Sequence, residues 1–166
     1  MIDGNWQNKT EGCLKQEDQI TIVTQPGTDF WKRTFYGFQT VNAPCYLWST
    51  SDDFSLACRV ESDYKQLYDQ SGLVLWIDDE NWFKMSAEFE TENLSRLGSV
   101  VTNGGYSDWA TTDIQTTNIM WYRIRRRGPD FLAEQSTDGI QFFQMRVFHM
   151  NALGDTASDF GSKSPG

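Results

Sequence analysis

Apolar and polar residues alternate strictly between Trp82 and Glu90. Phe83, Met85 and Ala87 alternate with Lys84, Ser86 and Glu88, and Phe89 continues the apolar series. In a β-strand successive side chains point to opposite faces, so this period of two directs one set into a core and the other set away from it. The segment is therefore predicted to be a strand of a sheet with one packed face.

The rest of the chain repeats this kind of signal in short pieces. Strands are predicted over 20–24, 54–61, 72–77, 82–90, 99–102, 121–127, 131–135 and 142–148. Segment 72–77 is apolar throughout, which predicts a central strand, and the last three segments are joined by turn residues as consecutive antiparallel strands. Short strands with Gly-rich turns and no helical period predict an all-β sandwich, or jelly roll, of two antiparallel sheets. We expect a single domain over 1–166, with 152–166 as a loop or frayed tail.

Charge and cysteine content narrow the possible partners. The chain has 23 acids against 14 bases, a net charge of −9 that disfavours broad nucleic-acid or membrane binding. No run approaches the roughly 20 apolar residues that a membrane span needs, and the first residues do not have a secretory-signal pattern. The three cysteines lack metal-site spacing, so reduced thiols, a cytoplasmic location and no cofactor or metal are expected.

Several short sequence motifs follow one another along the chain. They are 28–37 (TDFWKRTFYG), 68–73 (YDQSGL), 82–84 (WFK) with Glu88, 99–102 (SVVT), 107–109 (SDW) and 136–139 (STDG). In this combination the chain resembles the DUF1349 family from about Asn5 to Phe148. The resemblance implies the concanavalin A-like lectin/glucanase sandwich, and some family members are named for a role in regulating enolase. The family pattern continues to a closing apolar strand after a Ser-Pro segment, whereas this sequence stops at Gly166. We therefore expect that strand to be missing and a sheet edge to be left open, which would allow a homodimer.

One candidate for catalysis is the carboxylate row Glu88, Glu90 and Glu92. Residues at i, i+2 and i+4 of a strand share a face, and a retaining glycosidase needs two carboxylates about 5–5.5 Å apart. The alternative is that these acids lie on a solvated face leading into a turn.

A second candidate is a polar binding face. If strand 121–127 lies near strand 82–90, Lys84 and Glu88 would share a face with Arg123 and Arg125, which could bind hydroxyls or a carboxylate. The alternative is cross-strand charge pairing that recognises no ligand.

Aromatic residues in or beside turns could supply stacking surfaces for sugar rings. We include Trp31, Tyr36, Tyr68 and Trp109 in the candidate face, with the polar residues Gln70 and Asp108. The alternative is that these rings fill the core, since a β protein of this size with seven Trp must bury most of them.

Non-catalytic recognition of a carbohydrate or similar polyol is the function that this set favours. One alternative is a protein-binding regulator of a metabolic enzyme, which the family resemblance suggests. The other is a glycoside hydrolase that uses Glu88 with Glu90 or Glu92.

Overall fold

The computed structural model describes residues 3–154, in which fourteen β-strands and one 3-10 turn form. The strands are β1 (Asn5–Gln7), β2 (Leu14–Gln16), β3 (Gln19–Thr21), β4 (Phe30–Lys32), β5 (Gln39–Val41), β6 (Cys45–Leu47), β7 (Ser55–Glu61), β8 (Gln70–Asp78), β9 (Asn81–Thr91), β10 (Leu94–Asn103), β11 (Tyr106–Ile114), β12 (Ile119–Arg127), β13 (Asp130–Ser136) and β14 (Phe143–His149). The 3-10 turn spans Asn151–Leu153. The prediction of an all-β chain is confirmed for the described residues.

Two four-stranded antiparallel sheets form the sandwich. The first sheet has the order β11-β10-β9-β8, and the second has the order β14-β13-β12-β7. Shorter two-stranded ribbons, β1-β6, β2-β3 and β4-β5, come from the N-terminal third of the chain. The predicted series of three antiparallel strands near the C-terminus is confirmed as β12, β13 and β14.

The core lies between the two sheets and is built from the apolar members of the alternating pattern. Phe83 and Met85 of β9 are fully buried, and Phe83 stacks on Phe148 of the second sheet with ring centroids 4.1 Å apart. Phe131 also stacks on Phe148, with ring centroids 5.2 Å apart. Burial of such aromatic side chains supplies most of the free energy that holds two sheets together.

A second apolar cluster covers part of the outer face of the first sheet. Phe30 of β4 packs against Trp76 and Trp82 with centroid distances of 5.7 and 5.5 Å. Trp82 is fully buried as a result, although the alternating pattern places it on the polar side of β9. The β4-β5 ribbon therefore closes one end of this outer face and leaves the other end uncovered.

Two expectations about strands need correction. Segment 72–77 is not central, because β8 is the last strand of its sheet within the described residues. Its continuous apolar sequence has another cause: Leu73 and Leu75 pack in the core, while Val74 and Trp76 pack under the N-terminal ribbon. The strand predicted over 20–24 is also shorter than expected, since β3 ends at Thr21.

The structure leaves other expectations open. The single-domain assignment over 1–166 remains a prediction. The expectations for residues 155–166 and for a missing closing strand lie outside the described residues. No helix among residues 3–154 has the length and apolar composition to cross a membrane.

Candidate functional site

The outer face of the first sheet is made of four rows of side chains that run across the strands. Residues paired in antiparallel register lie on the same face, so the pairing of β8 to β11 defines each row. The rows are Trp76, Trp82, Thr102 and Ser107; then Val74, Lys84, Val100 and Trp109; then Gly72, Ser86, Gly98 and Thr111; and last Gln70, Glu88, Arg96 and Asp113. Trp82 lies under the β4-β5 ribbon, whereas the last two rows contain the partly exposed Ser86, Glu88 and Arg96. We call the two uncovered rows, with Lys84 and Trp109, the polar face.

A hydrogen-bond network fixes one half of the polar face. Lys84 Nζ donates to Asp29 Oδ1 at 2.6 Å and to Gln70 Oε1 at 3.2 Å. Gln70 Nε2 donates to Asp29 Oδ1 at 3.3 Å, and Ser86 Oγ donates to Gln70 Oε1 at 3.1 Å. Asp29 immediately precedes β4, so the ribbon contributes this carboxylate directly to the sheet. The network holds four side chains in defined positions.

A second ion network fixes the other half. Arg96 Nε donates to Glu90 Oε1, and Arg96 Nη1 lies 3.3 Å from Asp113 Oδ1. A β-bulge in the β9-β10 hairpin brings Glu90 and Arg96 together, because Ser95 pairs with Phe89 while Leu94 pairs with Thr91. The extra residue on β9 is Glu90, and Arg96 then lies opposite Glu88.

Glu88 lies between the two networks. It faces Gln70 on β8 and Arg96 on β10, yet its carboxylate has no hydrogen-bond partner among the described residues. Burial raises the pKa of the Glu88 carboxyl above its ordinary value, although the nearby Lys84 ammonium opposes the shift. Glu88 is therefore a half-buried acceptor that a ligand could reach and satisfy.

Trp109 forms the wall of the polar face. A Cβ built at Gly98 would lie 2.7 Å from Trp109 Nε1, so the indole passes over β10 at the position where the strand has no side chain. Trp109 is 38% exposed and meets Trp31 edge-on with ring centroids 6.5 Å apart. Trp31 in turn contacts Tyr36 and Phe38 at 5.4 and 6.3 Å, which extends the wall as an aromatic cluster.

The loop between β4 and β5 presents the outer rings of that cluster in an unusual backbone conformation. Arg33 and Phe35 have φ angles of 56° and 59°, values that cost about 1–3 kcal/mol each for a residue with a side chain. Glu80 holds the base of the loop by accepting from Lys32 Nζ and from Arg33 Nη1. These bonds and that of Arg33 Nη1 to the Gly105 carbonyl oxygen, at 2.8 Å, stabilise a loop on which Phe35 is 94% exposed.

The ion pairs at the base of the loop lower the pKa of the Glu80 carboxyl, with Lys32 as the main cause. Glu80 therefore remains charged over a wide pH range.

Comparison with known proteins places the chain in a family. A model described as a protein of unknown function, DUF1349, matches residues 6–162. The chain belongs to the DUF1349 family. The resemblance inferred from the motifs is thereby confirmed.

A curated yeast protein and a solved yeast structure are similar to this DUF1349 protein. It is 38% identical over 111 residues to a Saccharomyces cerevisiae (strain ATCC 204508 / S288c) protein named "Regulation of enolase protein 1", an alignment that covers 67% of this chain and 55% of the relative. The chain thus spans little more than half the length of that relative. A solved structure described as a functionally unknown protein from Saccharomyces cerevisiae matches with a TM-score of 0.82 at 30% identity, covering 89% of this chain and 79% of the other.

Four of the predicted ligand residues of the DUF1349 protein come together on the polar face. They are Gln70, Lys84, Glu88 and Trp109. Trp31 is close by but only 6% exposed, so it contacts the edge of Trp109 and offers little surface for stacking. Tyr36 is 55% exposed within the aromatic cluster, and Tyr68 is exposed in the loop that leads into β8.

Three other predicted residues lie elsewhere. Arg123 and Arg125 belong to β12, which pairs with β7 and β13 in the second sheet and never with β9. The expectation that they share a face with Lys84 and Glu88 is therefore not met. Both bind the buried Glu134, Arg123 through two bonds of 2.7 and 2.9 Å, and Arg123 lowers the pKa of the Glu134 carboxyl.

Asp108 is the third. Asp108 is next to Trp109 in β11, so its side chain points to the opposite face of the sheet. There it forms an ion pair of 2.8 Å with Arg146 of the second sheet, and it is therefore not part of the polar face.

The three carboxylates of the predicted catalytic row differ in their surroundings. Glu88 lies free on the polar face, Glu90 is bound by Arg96, and Glu92 is exposed in the turn between β9 and β10. Cys45 and Cys58 agree with packed thiols, since burial raises the pKa of Cys45 to about 12 and that of Cys58 to about 11.

Sequence reasoning missed Asp29, Ser86, Gly98, Arg96 and Asp113. Ser86 had a detectable signal, because it alternates with the core residues of β9 on the same side as Lys84 and Glu88. Arg96 had a misleading one. A regular two-residue turn at Glu92 and Asn93 would pair Arg96 with Phe89, and Arg96 would then point into the core. The bulge shifts the register by one residue, so Arg96 instead lies opposite Glu88.

Proposed function

We propose that this DUF1349 protein is a binding module that recognises a carbohydrate or similar polyol on the polar face. The observation that supports this most is the combination of a fixed set of hydrogen-bonding groups with an aromatic wall on one uncovered sheet face. Sugar rings bind proteins by stacking an apolar face on an aromatic side chain while their hydroxyls meet polar groups. Trp109 supplies the first requirement, and Glu88, Ser86 and Gln70 supply the second.

The prior ordering of these groups favours binding. Lys84, Asp29, Gln70 and Ser86 already hold one another in place, so a ligand need not immobilise long side chains. Trp109 lies against the backbone at Gly98 and contacts the ring of Trp31 edge-on. A preorganised face of this kind loses little side-chain entropy when a ligand binds.

The carbohydrate hypothesis is tested by titrating Trp fluorescence and heat of binding with a panel of oligosaccharides. Trp109→Phe should abolish the fluorescence response and weaken binding, while Trp6→Phe, a matched change in the β1-β6 ribbon, should do neither. A saturable response that survives Trp109→Phe, or no response to any sugar, would contradict the proposal.

The same panel tests the hydrolase alternative. It requires Glu88 to act as an acid together with Glu90, which Arg96 binds, or Glu92, which lies in the turn. Release of reducing sugar that Glu88→Gln abolishes without loss of folding would support it.

A protein-binding regulator of a metabolic enzyme is the second candidate. Two observations favour it: the name of the yeast relative, and the aromatic loop on which Phe35 is 94% exposed in a fixed conformation. Exposed aromatic side chains on rigid loops are typical anchors of protein interfaces.

This second candidate predicts co-elution with purified enolase on gel filtration at micromolar concentrations. Phe35→Ser should weaken that complex, and Ile140→Ser, a change at a similarly exposed apolar residue in the β13-β14 connection, should not. Absence of any co-elution would count against this function, and so would equal weakening by both variants. The homodimer expected through an open sheet edge remains a prediction, which the same gel filtration would test.

A further inference from the structure

The cations of the polar face already have partners. Lys84 is engaged by Asp29 and Gln70, and Arg96 is engaged by Glu90 and Asp113. Counting Asp29 and Glu90, which bind these bases from beside the face, four carboxylates surround two bases, and each base lies beside an acid that neutralises it. Among the described residues of the face, both bases are thus engaged by acids, which disfavours an acidic sugar.

Among the described residues, Glu88 is the carboxylate of this face that forms none of these ion pairs. Lys84 and Arg96 flank it along and across the strands, but within residues 3–154 neither donates a hydrogen bond to it. A half-buried carboxylate without a donor is costly, and a charged donor relieves this cost more than a neutral hydroxyl does.

A metal ion is a poor occupant for this position. In the part of the chain that the structure describes, no three Asp, Glu, His or Cys side chains come together in an arrangement that could hold one. Ca²⁺ would need six to eight oxygen ligands, far more than the single uncommitted carboxylate provides. An organic cation needs only one carboxylate and an apolar surface beside it.

Trp109 provides that surface at a suitable distance. Its indole covers Gly98, two residues along β10 from Arg96, so the ring and the row of Glu88 are about 7 Å apart at the usual rise of a strand. A sugar stacked on the indole would thus bring its own substituents, or those of the next ring, to Glu88. The net charge of −9 on the whole chain adds a long-range attraction for a cation.

We propose that the ligand of the polar face is a glycan with a free amine, whose ammonium group pairs with Glu88 while a sugar ring stacks on Trp109. This inference rests on the proposed carbohydrate function and specifies its ligand as an amino sugar that is not acetylated. Acetylation would remove the charge and replace it with a bulkier neutral amide, so it should weaken binding at Glu88.

The experiment compares fully deacetylated and fully N-acetylated chitooligosaccharides of equal length by calorimetry at pH 6. We expect the deacetylated form to bind at least about tenfold more tightly, the effect of one hydrogen bond to a charged group. Glu88→Gln should remove this preference. Glu92→Gln is the matched control, because it removes the same charge from an exposed turn and alters non-specific attraction equally.

Each other outcome has a distinct meaning. Equal or tighter binding of the acetylated form would overturn the amine preference and leave the carbohydrate function intact. A preference that survives Glu88→Gln, in a variant whose melting temperature shows that it is folded, would overturn the role of Glu88. Binding of neither form, nor of any neutral sugar, would overturn the carbohydrate function itself. Glu88→Asp keeps the charge and should retain part of the preference if Glu88→Gln fails to fold.

Discussion

Replacement of Gly98 by Ala should displace Trp109 and thereby weaken binding on the polar face. The added Cβ would lie 2.7 Å from Trp109 Nε1, and the indole must retreat by about 0.7 Å to reach 3.4 Å, the near limit of ordinary van der Waals contact. Gly98 does not have a positive φ, so the backbone itself tolerates alanine. The perturbation is therefore confined to the contact between the new methyl group and the ring.

The cost in stability should be small because Trp109 is open to solvent on its far side. Overpacking a closed core costs about 1–3 kcal/mol, and a 38% exposed ring that can rotate away should cost about 1 kcal/mol or less. The main effect should fall on ligand binding, since stacking requires the ring to lie in a fixed plane. We expect a change in Trp emission and weaker binding of the preferred oligosaccharide, with nearly unchanged urea unfolding.

The assay needs a control because the chain contains seven Trp. Gly98→Ala made in a Trp109→Phe background should produce a much smaller change in emission. Unchanged emission and affinity in Gly98→Ala would refute the inference that Gly98 seats Trp109. A large loss of stability would show instead that the position is closed, contrary to the exposure of the ring.

Three further predictions test the electrostatics and the boundaries of the site. Because burial raises the folded-state pKa of Glu88, the folded chain holds the proton to higher pH than the unfolded chain does, and the free energy of unfolding should fall as pH rises from about 4.5 through the folded-state value. Glu88→Gln should remove this fall and increase the free energy of unfolding at pH 7 by less than about 1 kcal/mol, given solvent screening, which a higher melting temperature would show; an unchanged pH profile would contradict this. Gly105→Ala should cost about 1–3 kcal/mol in urea unfolding, because its φ is +78° and its Cβ would lie 1.8 Å from Glu80 Oε2; full stability would show that the loop anchor is dispensable. Arg123→Ala should lower the free energy of unfolding by about 1–3 kcal/mol, because it removes a hydrogen-bonding partner of the buried Glu134, and it should leave ligand affinity unchanged. Weaker ligand binding without a loss of stability would show that Arg123 does belong to the binding site.

Some residues of the candidate site could be predicted from the sequence, and others could not. The strict alternation of β9 is enough to place Lys84 and Glu88 together on the side away from the core, and the family resemblance follows from motifs along the chain. The error with Arg123 and Arg125 came from a step that alternation cannot supply. A period of two assigns a residue to a face of its own strand but does not say which strands are neighbours, and β12 joined the second sheet.

The sequence by itself determined the class of fold, the packed face of β9, and the family, because side-chain period and turn residues act locally. Only the tertiary structure decided which polar residues meet. The ribbon at Phe30 buried Trp82 and brought Asp29 to Lys84 across 55 residues of sequence. One extra residue at Glu90 placed Arg96 opposite Glu88, since a shift of a single position in a strand pair reverses the face of every following side chain. Contacts of this kind depend on long-range pairing and on one local irregularity, and neither is encoded in the pattern of any single segment.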